Sequence, residues 1–149
     1  MSYTYEFPRP ALTVDTVVVR GEREHEVLLI RRKHDPYAGK WAIPGGFVDE
    51  NESLEEAARR ELKEEANVDA RALEQLYTFG DKGRDPRGWT VSVVYLTKVD
   101  GAKLNPRAAD DAAEVEWFSL KKLPPLAFDH DKILSVVQSR LDEKGKAPK

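Results

Sequence analysis

Ser53-Leu54-Glu55-Glu56 opens the segment that most limits what this chain can fold into: a helix with a legible start, a legible end and one apolar stripe. The Ser53 side chain can accept from the backbone of the third helical residue while Glu56 reaches back to the cap. Leu54, Ala58, Leu62 and Ala66 recur every four residues, and Ala57 widens the stripe they make. Asn67 tolerates the left-handed conformation that ends many helices, and Val68 can fold back onto the last turn. Such a helix must bury its stripe against another layer, and the flanking sequence offers strands.

Ala11 to Arg20 is rich in Val and Thr, and Glu26 to Arg32 is a second apolar run; Gly21 and four polar residues between them predict a hairpin. His34 to Lys40, with Pro36 and Gly39, reads as a loop before a short strand around Trp41 to Ile43, and Pro44-Gly45-Gly46 then interrupts any regular element. Beyond the helix, strands are expected over Leu73 to Phe79 and Trp89 to Val99, joined through Asp85-Pro86-Arg87-Gly88, which has type I turn chemistry. Gly101 to Ala112 is polar and irregular. Glu114 to Phe118 suits a last strand, and Asp131 to Leu141 has helical apolar spacing at Ile133, Leu134, Val137 and Leu141. Asp142 to Lys149 reads as a frayed, flexible tail. The length and the absence of a repeat or a dividing linker predict one domain over all 149 residues.

The charge balance narrows the partners. A formal net charge of -3 gives no global basic field for a nucleic acid polymer, whereas small phosphorylated ligands stay open through a bound metal. The absence of cysteine excludes disulfides, thiolate zinc sites and cysteine nucleophiles. No secretory signal and no apolar run of membrane-spanning length is visible, so no membrane partner is expected and a cytoplasmic location is the default. His25 and His130 have no partner at metal spacing, and His34 reads as a loop residue.

Chemistry concentrates on the helix. Positions 61, 64 and 65 stand at about 0, 300 and 40 degrees around its axis, which puts Glu61, Glu64 and Glu65 on one face. Like charges so close ask for a cation, and hard oxygen ligands suit Mg, Mn or Ca. Glu55 with Arg59 and Glu56 with Arg60 are also good ion pairs at helical spacing, so the same face could simply be solvated. Upstream, Gly45-Gly46 offers backbone that a ligand can approach, with carbonyls able to join the carboxylates around a cation. Pro-Gly-Gly by itself is an ordinary turn.

Taken together, Gly46, Glu52, Arg60, Glu61, Leu62, Glu64, Glu65 and Val68 resemble the box of the Nudix hydrolase family, in its spacing, with Asn67 where the family has Gly. Asn is the next best residue for a left-handed position, so the helix end should survive. The resemblance extends from the strand at Ala11 to Glu116-Trp117-Phe118. It implies an alpha/beta/alpha sandwich with a mixed sheet between helices, and hydrolysis of a phosphoanhydride with Mg2+ or Mn2+. It further implies that Glu61 and Glu65 are metal ligands, that Glu64 is a ligand or base, and that the Gly46 carbonyl completes the site. Arg60 and Glu52 would orient the acids.

Substrate choice lies outside the box. Arg32 could meet a phosphate, Arg84 and Arg87 could clamp phosphate or ribose, and Trp89 could stack on a base; an exposed strand end and a charged turn are the plain alternatives. Asp110 and Asp111 sit in the late loop from which a base can come. Phe79 to Tyr95 is similar to the ADP-ribose pyrophosphatase branch, which implies ADP-ribose split into AMP and ribose 5-phosphate, and a homodimer. Two other readings stay open: hydrolysis of another nucleotide, such as an oxidised nucleoside triphosphate, a dinucleoside polyphosphate or a nicotinamide dinucleotide, and a non-catalytic ligand sensor.

Overall fold

A computed structural model describes residues 2–109 and 111–145, so the expectation for Asp110 falls outside the described residues. One mixed sheet of seven strands carries the fold: β1 (Ala11–Arg20), β2 (Glu26–Arg32), β3 (Trp41–Ala42), β4 (Gly45–Phe47), β5 (Glu74–Phe79), β6 (Thr90–Lys98) and β7 (Ala112–Ser119). Its main order is β3-β2-β1-β6-β5, with β4 added to β1 and β7 to β2. Only β1 and β6 run parallel, in register from Ala11↔Thr90 to Val19↔Lys98. This central pair is buried on both faces, which explains its continuous Val-rich sequence.

The period of two along β1 sorts its side chains between two helices. Val17 and Val19 join Val27 and Leu29 under Ile133, Leu134, Val137 and Leu141 of α2 (His130–Gly145). Val18 and Val14 point the other way, with Leu28 and Ile30, onto Ala57, Ala58, Leu62 and Ala66 of α1 (Leu54–Ala66). The layers are therefore helix, sheet, helix, as the resemblance implies.

Both ends of α1 form as their residues require. Ser53 accepts the Glu56 N–H at 3.1 Å, and Asn67 sits at φ 56, ψ 41 with its N–H on the Lys63 carbonyl. The turn after β5 closes as expected, Gly88 N–H to the Asp85 carbonyl at 3.3 Å.

Three expectations need correction. The hairpin between β1 and β2 holds only at Val19↔Val27 and Arg20↔Glu26; the strands then part. Into the gap enters β4, pairing Gly46 with Val14 and Gly45 with Asp15, so the glycines form a strand instead of interrupting one. A Cβ on Gly45 would run into the Val14 carbonyl and the Asp15 carboxylate, so only glycine lets the two backbones come together there. Finally, α2 continues through residues 142–145, beyond its last buried anchor Leu141, where a frayed tail was expected. Each added turn there keeps its backbone hydrogen bonds at little entropic cost once the helix is nucleated.

Candidate active site

α1 lies across β4, and this crossing builds the acidic centre. The Glu61 carboxylate packs on Gly46 so closely that a Cβ there would fall 2.5 Å from Glu61 Cδ. One turn on, Glu65 Oε1 accepts the Gly45 N–H at 2.8 Å. Arg60 ties the remaining acids together. Its Nε and Nη2 donate to Glu52 at 2.6 and 2.9 Å, and its Nη1 donates to Glu61 at 2.8 Å and Glu64 at 3.2 Å. Its Nη2 also reaches the Phe47 carbonyl at 3.2 Å, which fastens the helix to β4.

Burial and pairing divide these carboxylates into two kinds. Hydrogen bonds from Arg60 hold Glu52 down to about 2, so it is a permanent anion. The hydrogen bond with Glu52 raises Arg60 in turn, so it is a permanent cation. Burial pushes Glu61 up in spite of Arg60, and pushes Glu65 up to about 8, with Glu61, Asp15 and Asp111 adding like-charge repulsion. A buried carboxylate with raised proton affinity and anionic neighbours is short of positive charge. Glu61 and Glu65, with Glu64 beside them, offer hard oxygens and fit a divalent cation; the glycine cradle leaves the space a side chain would fill. Among the described residues no three acids already surround one point. Arg60 Nη1 occupies oxygens of Glu61 and Glu64 that would have to turn toward a cation.

In front of Gly45, Gly46 and Glu65 opens a narrow cleft with about 50 Å³ of free space. Arg32, Arg84 and Arg87 all line it, from β2 and from the loop between β5 and β6. Arg32 and Arg87 stack on the Phe128 ring at 5.0 and 4.9 Å, and Arg87 also lies 4.7 Å over Phe47. Arg84 is almost wholly buried; its Nε and Nη2 grip Asp129 at 2.9 and 2.7 Å and its Nη1 donates to Ser92 at 2.8 Å. Arg87 is braced by Asp85, whose carboxyl is held below the usual range by hydrogen bonds from Arg87 that outweigh its burial. Asp111 is exposed, 3.9 Å from His34, and its backbone carbonyl receives the Lys33 N–H. Trp89 is 58% exposed and forms no part of the cleft wall. A wider hollow of about 560 Å³ at the C-terminal end of α1, among Lys63, Asp69, Arg71 and Lys98, contains none of the box acids.

Sequence reasoning passed over several residues here. His130, which has no partner at metal spacing in the sequence, is buried and accepts the Ile43 N–H on Nδ1 at 3.0 Å; burial lowers it to about 3, so it is neutral. Phe128, at φ 52, and Asp129 sit in the turn before α2, far from the box in sequence. Asp15 sits in the middle of β1, and an acid inside a Val-rich strand was the signal that could have found it.

The comparisons agree with this geometry. The NUDIX domain model matches residues 9–137. The ADP-ribose pyrophosphatase of Methanocaldococcus jannaschii is 44% identical over 125 residues, 84% of this chain and 71% of that protein. The ADPR responsive transcriptional repressor NtrR of Acinetobacter baylyi is 35% identical over 144 residues, 93% of this chain and 57% of the repressor. The solved NUDIX domain of Shewanella oneidensis NrtR complexed with ADP ribose superposes with a TM-score of 0.83 at 36% identity, covering 91% of this chain and 90% of that one. By the family match, by these identities and by a box whose acids meet at the Gly45-Gly46 strand, the chain belongs to the NUDIX domain family.

Proposed function

We propose that this chain hydrolyses the diphosphate bond of a nucleoside diphosphate sugar, with ADP-ribose as substrate and AMP and ribose 5-phosphate as products. The observation that carries the reading is the meeting of two unlike surfaces: buried acids short of positive charge at Gly45-Gly46, and an arginine-lined cleft directly in front of them. A diphosphate held by the arginines would present its phosphorus atoms to the acids. The likeness to an ADP-ribose pyrophosphatase and to an ADP-ribose-bound NUDIX domain supports the choice of substrate.

In this reading Glu61, Glu64, Glu65 and the Gly46 carbonyl hold Mg2+, with Mn2+ as the alternative ion. Bound there, the ion supplies charge neutralisation at the diphosphate and a more acidic water. The chain does the rest. Arg60 and Glu52 keep the acids aligned, Arg32 and Arg87 grip phosphate, and Arg84 holds the cleft wall in place. Asp111, exposed and electrostatically in reach of Glu65, is the proposed base that takes the proton of the attacking water. Stacking of Trp89 on the base would require movement of its loop toward the cleft.

The same reading takes the chain as one NUDIX domain with a small nucleotide as its partner, working in the cytoplasm without membrane or nucleic acid polymer. A homodimer belongs to it as well, supported by the edge strand β5 with exposed Tyr77. Resemblance to NtrR favours a second reading, in which the cleft senses ADP-ribose without cutting it. One experiment separates them: a panel of ADP-ribose, nucleoside triphosphates, dinucleoside polyphosphates and nicotinamide dinucleotides, assayed for AMP and phosphate release with the intact chain and its Glu65→Gln variant. Metal-dependent release of AMP from ADP-ribose, lost in the variant, is expected. Tight ADP-ribose binding without turnover in any metal would establish the sensor.

A further inference from the structure

Asp15 stands where the fold should not tolerate an acid. It lies mid-strand in β1, flanked by Val94 of β6 and Gly45 of β4, and is 7% exposed. Its row on the sheet continues with Val17 and Val19, which are core residues under α2. A valine there would simply extend that row.

No protein donor answers the carboxylate. Among the described residues no side-chain hydrogen bond to it is seen, and its oxygens are not sealed in the interior but face the cleft, while its backbone pairs with β4 and β6. The nearest buried cation is committed elsewhere, since Arg84 spends its guanidinium on Asp129 and Ser92. In the same lining Thr13 Oγ1 and Ser92 Oγ share one hydrogen bond, and Ser92 Oγ also accepts from Arg84 Nη1. The part of Asp15 that is not enclosed by protein opens into the cleft, whose lining includes it together with Arg32, Arg87 and Glu65. With no protein hydrogen bond supplied, the donors to this carboxylate come from water or from a ligand that replaces it in the cleft.

The chemistry of that ligand group follows from charge. A phosphate in contact with Asp15 would bring two acidic groups together in a poorly solvated place, while Arg32 and Arg87 in the same lining are open to it. A neutral group with two adjacent O–H donors matches the two oxygens of a carboxylate. We propose that Asp15 receives a vicinal hydroxyl pair of the substrate's ribose at the floor of the cleft, and thereby selects a sugar-linked diphosphate over a nucleoside triphosphate. This inference rests on the diphosphate hydrolase reading for the orientation of the ligand and assigns Asp15 a specificity role beyond it.

The test uses the two products, which bind without turnover. Dissociation constants are measured by calorimetry, with Mg2+, for two matched pairs: ribose 5-phosphate with 2-deoxyribose 5-phosphate, and AMP with 2′,3′-dideoxy-AMP. The full chain is compared with its Asp15→Asn and Asp15→Ala variants. For one pair, the wild type should lose roughly tenfold or more in affinity when hydroxyl is removed, and both variants should lose that discrimination. That pair identifies which ribose lies on Asp15. Equal discrimination by wild type and variants in both pairs overturns the inference, as does a variant whose only change is weaker Mg2+ binding. So does a collapse of the Asp15→Asn melting temperature, which would mark the acid as a structural one. Hydroxyl discrimination that depends on Asp15 in a chain that cuts nothing would leave this inference standing while the hydrolase reading fell; AMP release without such discrimination would do the reverse.

Discussion

Arg60 holds Glu52 with two parallel hydrogen bonds, Nε to Oε2 at 2.6 Å and Nη2 to Oε1 at 2.9 Å, and this pair aims the rest of the guanidinium at Glu61 and Glu64. Lysine has no planar fork to repeat that grip. Arg60→Lys should therefore lower kcat about 10- to 100-fold, with the loss following weaker metal binding in a Mg2+ titration. Glu52→Gln should act alike, and the double variant should be little worse than either single one, since both break one unit.

Gly46 faces Glu61 with no room for a methyl group. Gly46→Ala should fold, because its Cβ meets the end of a side chain, yet it should displace Glu61 and remove most activity. Circular dichroism and an activity assay on the same preparation check this. A fully active Gly46→Ala enzyme would show that Glu61 can work from another position.

Glu65 is buried and its proton affinity is raised to about 8, above the ordinary 4.5 of an unfolded glutamate. The sign is that of a destabilising anion: the contribution to stability is whole below about pH 4.5 and is lost as pH rises through 8. At pH 8 without metal, Glu65→Gln should melt higher than the wild type, by about 2–4 °C for each kcal/mol recovered. Its amide can still accept from Gly45. Added Mg2+ should raise the wild-type melting temperature and leave the variant unmoved; thermal scans with and without Mg2+ decide it.

His130 gives the opposite pH trend. Burial lowers it from 6.5 to about 3, so between those values the unfolded chain takes up a proton that the folded one refuses. Stability from this residue is therefore lost as pH falls from 6.5 towards 3, by up to about 1.4 kcal/mol per pH unit. Urea midpoints from pH 7 to 4 should decline less steeply in His130→Asn than in the wild type, and identical slopes would refute the assignment.

Arg87 lies between Phe47 and Phe128 at the cleft, while Trp89 stands outside it. Arg87→Ala should raise KM for ADP-ribose roughly tenfold, as expected for a lost charged hydrogen bond, and change kcat much less. Trp89→Ala should leave both within about twofold if the loop keeps this conformation, and a larger KM effect would mean that it closes over the substrate.

What the sequence determined by itself is local and periodic. The start of α1 at Ser53, its left-handed end at Asn67, its stripe and the shared face of Glu61, Glu64 and Glu65 all follow from interactions within a few residues, which a linear pattern records directly. The box spacing also pointed to the family. Tertiary structure decided everything that depends on distant segments meeting. Gly45-Gly46 became a strand because β1 had an edge free for it, and no local rule reveals that edge. Arg84 became a fixed wall because Asp129, 45 residues away, lies opposite it. Phe128, His130 and Asp15 joined the cleft only when the turn before α2 packed against the β1 and β6 pair. A carboxylate on a strand carries no sign of which face it occupies or which donors it lacks until the sheet and both helices are assembled, since burial and hydrogen-bond supply belong to the packed molecule.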